Sequence, residues 1–186
     1  MNARSCVIRL AAVSAVAGFA TLTAPAEAVN WIHKTAGAFS CYVPAANWQV
    51  VGNNSGVDIS SPTGDEDVSF AQTAWPDAVT TQAVATQVLN LSARSGSLTN
   101  ASITGRGAAS QLAAGVTVQR FTYQGVHHWV NGTAPVVGYI LVTVFNRALS
   151  RGYSVSLVTV PTAKANADGS MLEFIRGHIT FYGKAP

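Results

Sequence analysis

Charge is scarce in this sequence. Eleven basic and eight acidic residues make up a tenth of the 186, where soluble domains usually carry about a quarter. The basic residues stand singly, no two adjacent, and the formal net charge is +3. Nucleic-acid binding needs clustered Lys and Arg, so that class is excluded. Cysteine is nearly absent, with only Cys6 and Cys41, and no disulfide framework can be built. No apolar run reaches the ~20 residues that a membrane-spanning helix requires. Gly-x-Ser-x-Gly is missing, because Gly152-Tyr153-Ser154-Val155-Ser156 lacks the second glycine. Gly105-Arg106-Gly107-Ala108-Ala109-Ser110 lacks the third glycine of a dinucleotide loop. There is no repeat, linker or low-complexity tract.

The first 28 residues differ from the rest. Arg4 and Arg9 precede an apolar run from Leu10 to about Leu22, and Pro25-Ala26-Glu27-Ala28 follows. A basic start, a short apolar stretch and an Ala-x-Ala site define a secretory signal peptide. Cleavage is expected after Ala28, leaving residues 29–186 as one domain in an exported (periplasmic or secreted) protein. Arg4 and Arg9 are not adjacent, so no twin-arginine signal is formed. Cys6 precedes the apolar stretch, so it is no lipoprotein cysteine. The mature chain is expected to be a soluble monomer.

Periodicity organises residues 29–186. Phe39, Cys41 and Val43 alternate along a strand ended by Pro44, and Cys41 thereby takes a core position. Trp48–Val51, Val57–Ile59 and Asp67–Ala74 read as further strands, and the four form an antiparallel meander. From Ala78 to Arg94 there is no Gly or Pro. Val84, Val88 and Leu91 recur at helical spacing there, on a helix entered through Pro76 and closed by Gly96. Ala101–Thr104 is a weak strand. Val116–Tyr123 is a stronger one, and a phase slip between Val118 and Phe121 suggests a bulge. Val136–Phe145 and Tyr153–Val160 are apolar on both faces and belong mid-sheet. Ser170 and Glu173 have capping-box spacing for a last helix that Gly177 ends. Ile179–Tyr182 is read either as a final edge strand or as a packed tail.

The segment Ala38-Phe39-Ser40-Cys41-Tyr42-Val43-Pro44 followed by Trp48 resembles the start of the PsbP-like proteins, the family of the extrinsic oxygen-evolving subunit and the Ran-release factor. The order of short strands, one long helix, paired long strands and a short helix before Ile179 and Phe181 is similar too. Ala38 stands where the family often has glycine. The resemblance spans roughly Ala38 to Tyr182. It implies an α+β fold, an antiparallel β-sheet flanked by helices as an α/β/α sandwich. It also implies a non-catalytic binding or accessory role, and it carries over no site residue or cofactor.

His127-His128-Trp129 is the most conspicuous constellation. Adjacent strand residues point to opposite faces, so a shared metal ion, which needs converging ligands, is not expected; the pair reads as a solvated hairpin end. Trp129, if exposed beside the histidines, is a candidate anchor for a partner. Asp65-Glu66-Asp67 lacks the spacing of a calcium loop and reads as a solvated turn. Asp58 and Asp77 lie far from that run in sequence, so paired-carboxylate chemistry is not assigned. His178 suits a helix C-terminus, and His33 and Trp31 lie near the mature terminus. The leading expectation is an exported accessory protein, without catalytic activity or cofactor, that binds a protein or envelope component. The alternative is a small exported hydrolase or metal-dependent enzyme with a site assembled from His127, His128 and Asp67. A third is self-assembly through a sheet edge.

Overall fold

The structure, a computed structural model, describes residues 29–45, 47–147 and 150–182. The proposed signal peptide lies outside them. Eleven strands and two α-helices are described: β1 Trp31–Ala36, β2 Phe39–Pro44, β3 Gln49–Gly52, β4 Gly56–Ser60, β5 Asp67–Ala74, α1 Thr81–Ser95, β6 Leu98–Arg106, β7 Ser110–Ala113, β8 Val116–Trp129, β9 Gly132–Arg147, β10 Ser150–Pro161, α2 Ala165–Gly177 and β11 Thr180–Phe181. A single 3-10 turn, Thr162–Lys164, leads into α2. The fold is α+β and mostly antiparallel sheet.

A large sheet has the order β3-β4-β5-β10-β9-β8-β6, with β7 also pairing β8. The strands expected mid-sheet, β9 and β10, hold the middle. The expected meander is corrected in one respect. β3, β4 and β5 do form it, but β2 leaves it for a small sheet, β1-β2-β11. Of the two readings of Ile179–Tyr182 the edge strand holds, as β11, paired to Phe39 and Ser40.

Two buried clusters divide the apolar residues. In one, Leu172 and Ile175 of α2 and Phe39, Cys41 and Val43 of β2 meet Val57, Ile59, Val68, Tyr139 and Val158. In the other, Val84, Ala85 and Leu89 of α1 meet Phe121, Tyr123, Val136, Ile140, Val142 and Val155. The clusters take alternate residues of β9 and of β10, which is why both strands read as apolar throughout.

α1 starts later than Pro76. Thr80 is its N-cap, accepting a hydrogen bond from the Ala83 amide at 3.2 Å. Gly96 ends it with φ of 78°, a left-handed value that glycine takes without strain. The buried stripe is Thr81, Val84, Ala85 and Leu89, and Leu91 turns out to solvent. No bulge interrupts β8 against β9: pairing runs unbroken from Val116↔Phe145 to Trp129↔Gly132. The register shifts fall on β6 and β7, between Thr99 and Ser102, Ile103 and Gly105, and Gln111 and Ala113. The slip in phase arises because Val116 and Phe121, both buried, lie on opposite sides of one continuous strand. α2 begins at Ala165, so Ser170 sits inside it and caps nothing; Glu173 bonds Arg176 and Arg120 instead.

Candidate functional site

The β8–β9 hairpin runs past the end of β10, whose last pair is Pro161↔Val136. Its overhang carries the three residues singled out above. His127 and Trp129 face one way, with ring centroids 5.6 Å apart. His128 faces the other and is exposed, its Nε2 2.8 Å from Thr99 Oγ1. The Trp129 ring covers Gly64, where an added Cβ would lie 3.5 Å from the indole. Trp129 is therefore half-buried, whereas Val130 at the tip is 99% exposed. His127 Nδ1 is buried without a partner. Burial lowers the His127 pKa, and a hydrogen bond with the Asp65 backbone opposes the shift. No three His, Cys, Asp or Glu side chains among the described residues group as metal ligands, so His127, His128 and Asp67 are not brought together.

The acidic run is a buried turn, where a solvated one was expected. Ser61 N donates to Glu66 O at 3.0 Å and Gly64 N to Ser61 O at 2.9 Å, closing the loop. Ser61 and Thr63 donate to Asp65 Oδ1, and Lys164 Nζ reaches Asp65 Oδ2 at 2.8 Å. Burial pushes the Asp65 carboxyl up, but the hydrogen bonds from Lys164, Thr63 and Ser61 with the Lys164 charge outweigh it, and its pKa is lowered. Glu66, only 4% exposed, keeps Oε1 without a hydrogen-bond partner and 3.9 Å from Lys164 Nζ. Burial, then the Asp168 carboxyl at the start of α2, push the Glu66 carboxyl up to about 8. A short stretch of hydrophilic residues gave no sign of this, since the lysine that covers it lies about a hundred positions on.

Sequence reasoning also missed a polar row across the large sheet. Tyr123 stands over Gly138, and its hydroxyl reaches Thr159 Oγ1 at 2.7 Å and the Val158 carbonyl at 3.2 Å. Asp67 pairs directly with Thr159 across β5 and β10. Burial, with the Asp58 charge adding to it, pushes the Asp67 carboxyl up to about 8. Asp58 and Asp67 alternate with the apolar residues Val57, Ile59 and Val68, and only the β4–β5 register makes them neighbours. One depression, about 450 Å³ on the outer face of α1, is lined by Ala83, Thr86, Gln87, Asn90, Leu91 and Arg94. None of the paired acids lines it.

The outward face of the small sheet is aromatic. Register places His33 opposite Tyr42 and Trp31 opposite Pro44. Ring contacts then run from Trp31 to Phe174 at 4.1 Å, Phe174 to His178 at 3.9 Å, His178 to Tyr42 at 6.2 Å and Tyr42 to His33 at 5.1 Å. Tyr42 is 43% and Phe174 37% exposed. Of the strand positions on this side, His33, Thr35, Tyr42 and Thr180 are exposed and Trp31 half-buried, and none is Asp, Glu, Lys or Arg. His178 also closes α2, its Nδ1 2.8 Å from the Phe174 carbonyl oxygen, as a helix C-terminus favours. The signal for this face was present in the sequence as scattered aromatics, but only pairing across β1, β2 and α2 assembles it. Cys41, on the inward side of β2, is buried, and burial raises its thiol to about 11 against the opposing Lys34 charge.

No family model matches this chain, and the comparison with curated proteins found no match. Among solved structures it is similar to the solution structure of cyanobacterial PsbP (CyanoP) from Synechocystis sp., with a TM-score of 0.51 and 12% identity. That match covers 86% of this chain and 97% of the other. The chain thus has a PsbP-like fold. No helix among the described residues is long and apolar enough to cross a membrane.

Proposed function

We propose that this chain is an exported accessory protein that binds a protein partner through the aromatic face of its small sheet. The carrying observation is the unbroken run of rings Trp31, Phe174, His178, Tyr42 and His33, beside exposed strand positions that carry no formal charge among the described residues. Monomeric domains rarely leave large apolar patches open. Exposed Tyr42 and Phe174 beside half-buried Trp31 match the aromatic core of a protein interface. Export is supported by the basic start, the short apolar stretch and Ala28. The alternation of two helix-bearing clusters along β9 supports an α/β/α sandwich, in which one outer layer supplies the face.

Capture from the extracytoplasmic fraction tests the reading. Wild type should retain a specific protein that the double variant Tyr42→Ala, Phe174→Ala loses while keeping its fold by circular dichroism. Equal retention by both would move the interface elsewhere. The hairpin end is the second candidate, because fully exposed Val130 adjoins Trp129 and His127; Trp129→Ala in the same experiment would abolish retention if that end is the docking surface.

A further inference from the structure

Phe174 and His178 of α2 belong to the aromatic face, but Glu173 and Arg176 meet other partners, Arg120 of β8 and Tyr139 of β9. Two guanidiniums share the Glu173 carboxylate: Oε1 lies 2.9 Å from Arg120 Nη1 and Oε2 3.0 Å from Arg176 Nε. The Arg120 guanidinium carbon stands 3.6 Å from the centroid of the Tyr139 ring, and that of Arg176 6.0 Å from it. Tyr139 is 6% exposed, and its hydroxyl is buried without a hydrogen-bond partner. A buried polar atom left unpaired marks a cluster that is not closed on itself. A guanidinium carries five N–H donors, and the Glu173 carboxylate engages one nitrogen of each arginine. Two positive charges therefore face one negative. Arg120 stays accessible, with 47% of its side chain exposed. Thr122 and Gln124 follow it on the same face of β8, both exposed. Thr104 Oγ1 donates to Thr122 Oγ1 at 3.2 Å, which leaves the Thr122 proton for another acceptor. α2 packs mainly on β10, β5 and β2, so this strip of β8 is open.

We propose that Arg120 and Arg176, with Thr122 beside them, form a binding site for a carboxylate group. A monoanion balances the surplus charge, whereas a phosphate dianion would leave the site negative. A planar carboxylate also matches the guanidinium fork in a bidentate pair. Tyr139 is a positioning residue: its ring seats the Arg120 guanidinium through a cation–π contact. The carboxylate comes from a small organic acid or from an Asp, Glu or C-terminus of a protein, and the recognising chemistry is the same for both. The site lies apart from the aromatic face and does not depend on it.

NMR of the arginine Nε resonances of the purified protein, titrated with sodium acetate at pH 7 against sodium chloride at equal ionic strength, reads the site directly. The Arg120 and Arg176 signals should move saturably with acetate and stay still with chloride, and exposed Arg94 on α1 should respond to neither. Glu173→Gln removes the competing oxygens and should tighten acetate binding about fivefold, the worth of one exposed ion pair. Arg120→Gln should abolish binding, and Arg120→Lys, which keeps the charge but loses the fork, should weaken it severalfold. A capped peptide with a single Glu, compared with its Gln counterpart, separates the sources: tighter binding than acetate assigns the site to a protein carboxylate, and equal or weaker binding to a small acid. Equal responses to acetate and chloride, or no tightening in Glu173→Gln, would overturn the proposal. Should Arg120→Gln not fold, Arg120→Lys decides alone: weaker binding supports the site and unchanged binding refutes it. Partner capture plays no part in these readouts, so this site and the binding role fail separately.

Discussion

Gly138→Ala is the most severe small change the structure offers. Gly138 lies on β9 between Tyr123 of β8 and Thr159 of β10. An added methyl would enter the envelope of the Val158 carbonyl oxygen and come within 2.8 Å of the Tyr123 ring. Neither neighbour can yield easily. The carbonyl belongs to the adjacent strand of the same sheet, and Tyr123 is fully buried. Overpacking a core costs about 1–3 kcal/mol. Tilting Tyr123 also breaks its bonds to Thr159 and Val158, and a buried polar group left unpaired costs a further 1–3 kcal/mol, roughly. The expected loss is therefore about 2–6 kcal/mol, a large share of a typical domain's stability. Urea unfolding followed by circular dichroism measures it. Tyr123→Phe separates the contributions: it removes the hydroxyl but not the ring, and should cost about 1–2 kcal/mol. A loss below about 1 kcal/mol for Gly138→Ala would refute the packing described for the centre of the large sheet.

Other outcomes follow from the same contacts. Leu172→Ala removes the fully buried anchor of α2 and should cost about 2–5 kcal/mol in chemical unfolding. Cys41, its thiol raised to about 11, should resist iodoacetamide at pH 8 in the fold and react on unfolding. The lowered pKa of Asp65 means that its contribution exists above the free carboxylate value and disappears as pH falls through the folded one. Lys164→Met should flatten that acid limb in thermal melts, leaving the melting temperature less sensitive to pH between about 5 and 2.

What could be read beforehand was what periodicity encodes. β5 was legible to its last residue, because Asp67–Ala74 has inward Val68 and Phe70 and clean flanks. The central place of β9 and β10 followed from their double-sided apolar pattern, and the close of α1 from Gly96. Pairing partners were not legible. Phe39 pairs with Phe181 at the far end of the chain, and no local pattern announces that β2 leaves the meander to join it. β1 escaped notice altogether. Its polar members His33 and Thr35 point outward, and Lys34 lies flat to reach the Trp48 carbonyl, so Trp31–Ala36 resembles a loose terminus. The capping-box spacing at Ser170 misled because Ala165–Asp168 continues the turn begun at Thr162, and a helix already under way needs no cap. The candidate sites depended on these long-range pairings: the aromatic face requires β1 beside β2 and α2, and the buried acidic turn requires Lys164. His127 and His128 were correctly expected on opposite faces, since alternation along a strand is local.

The most direct test of the binding role is site-specific photo-cross-linking in living cells. A photoreactive residue at Tyr42 should give one discrete adduct with another protein, whereas one at exposed Val51, which lies off this face, should give none. Equal labelling at both positions, or adducts with lipid alone at Tyr42, would contradict the account.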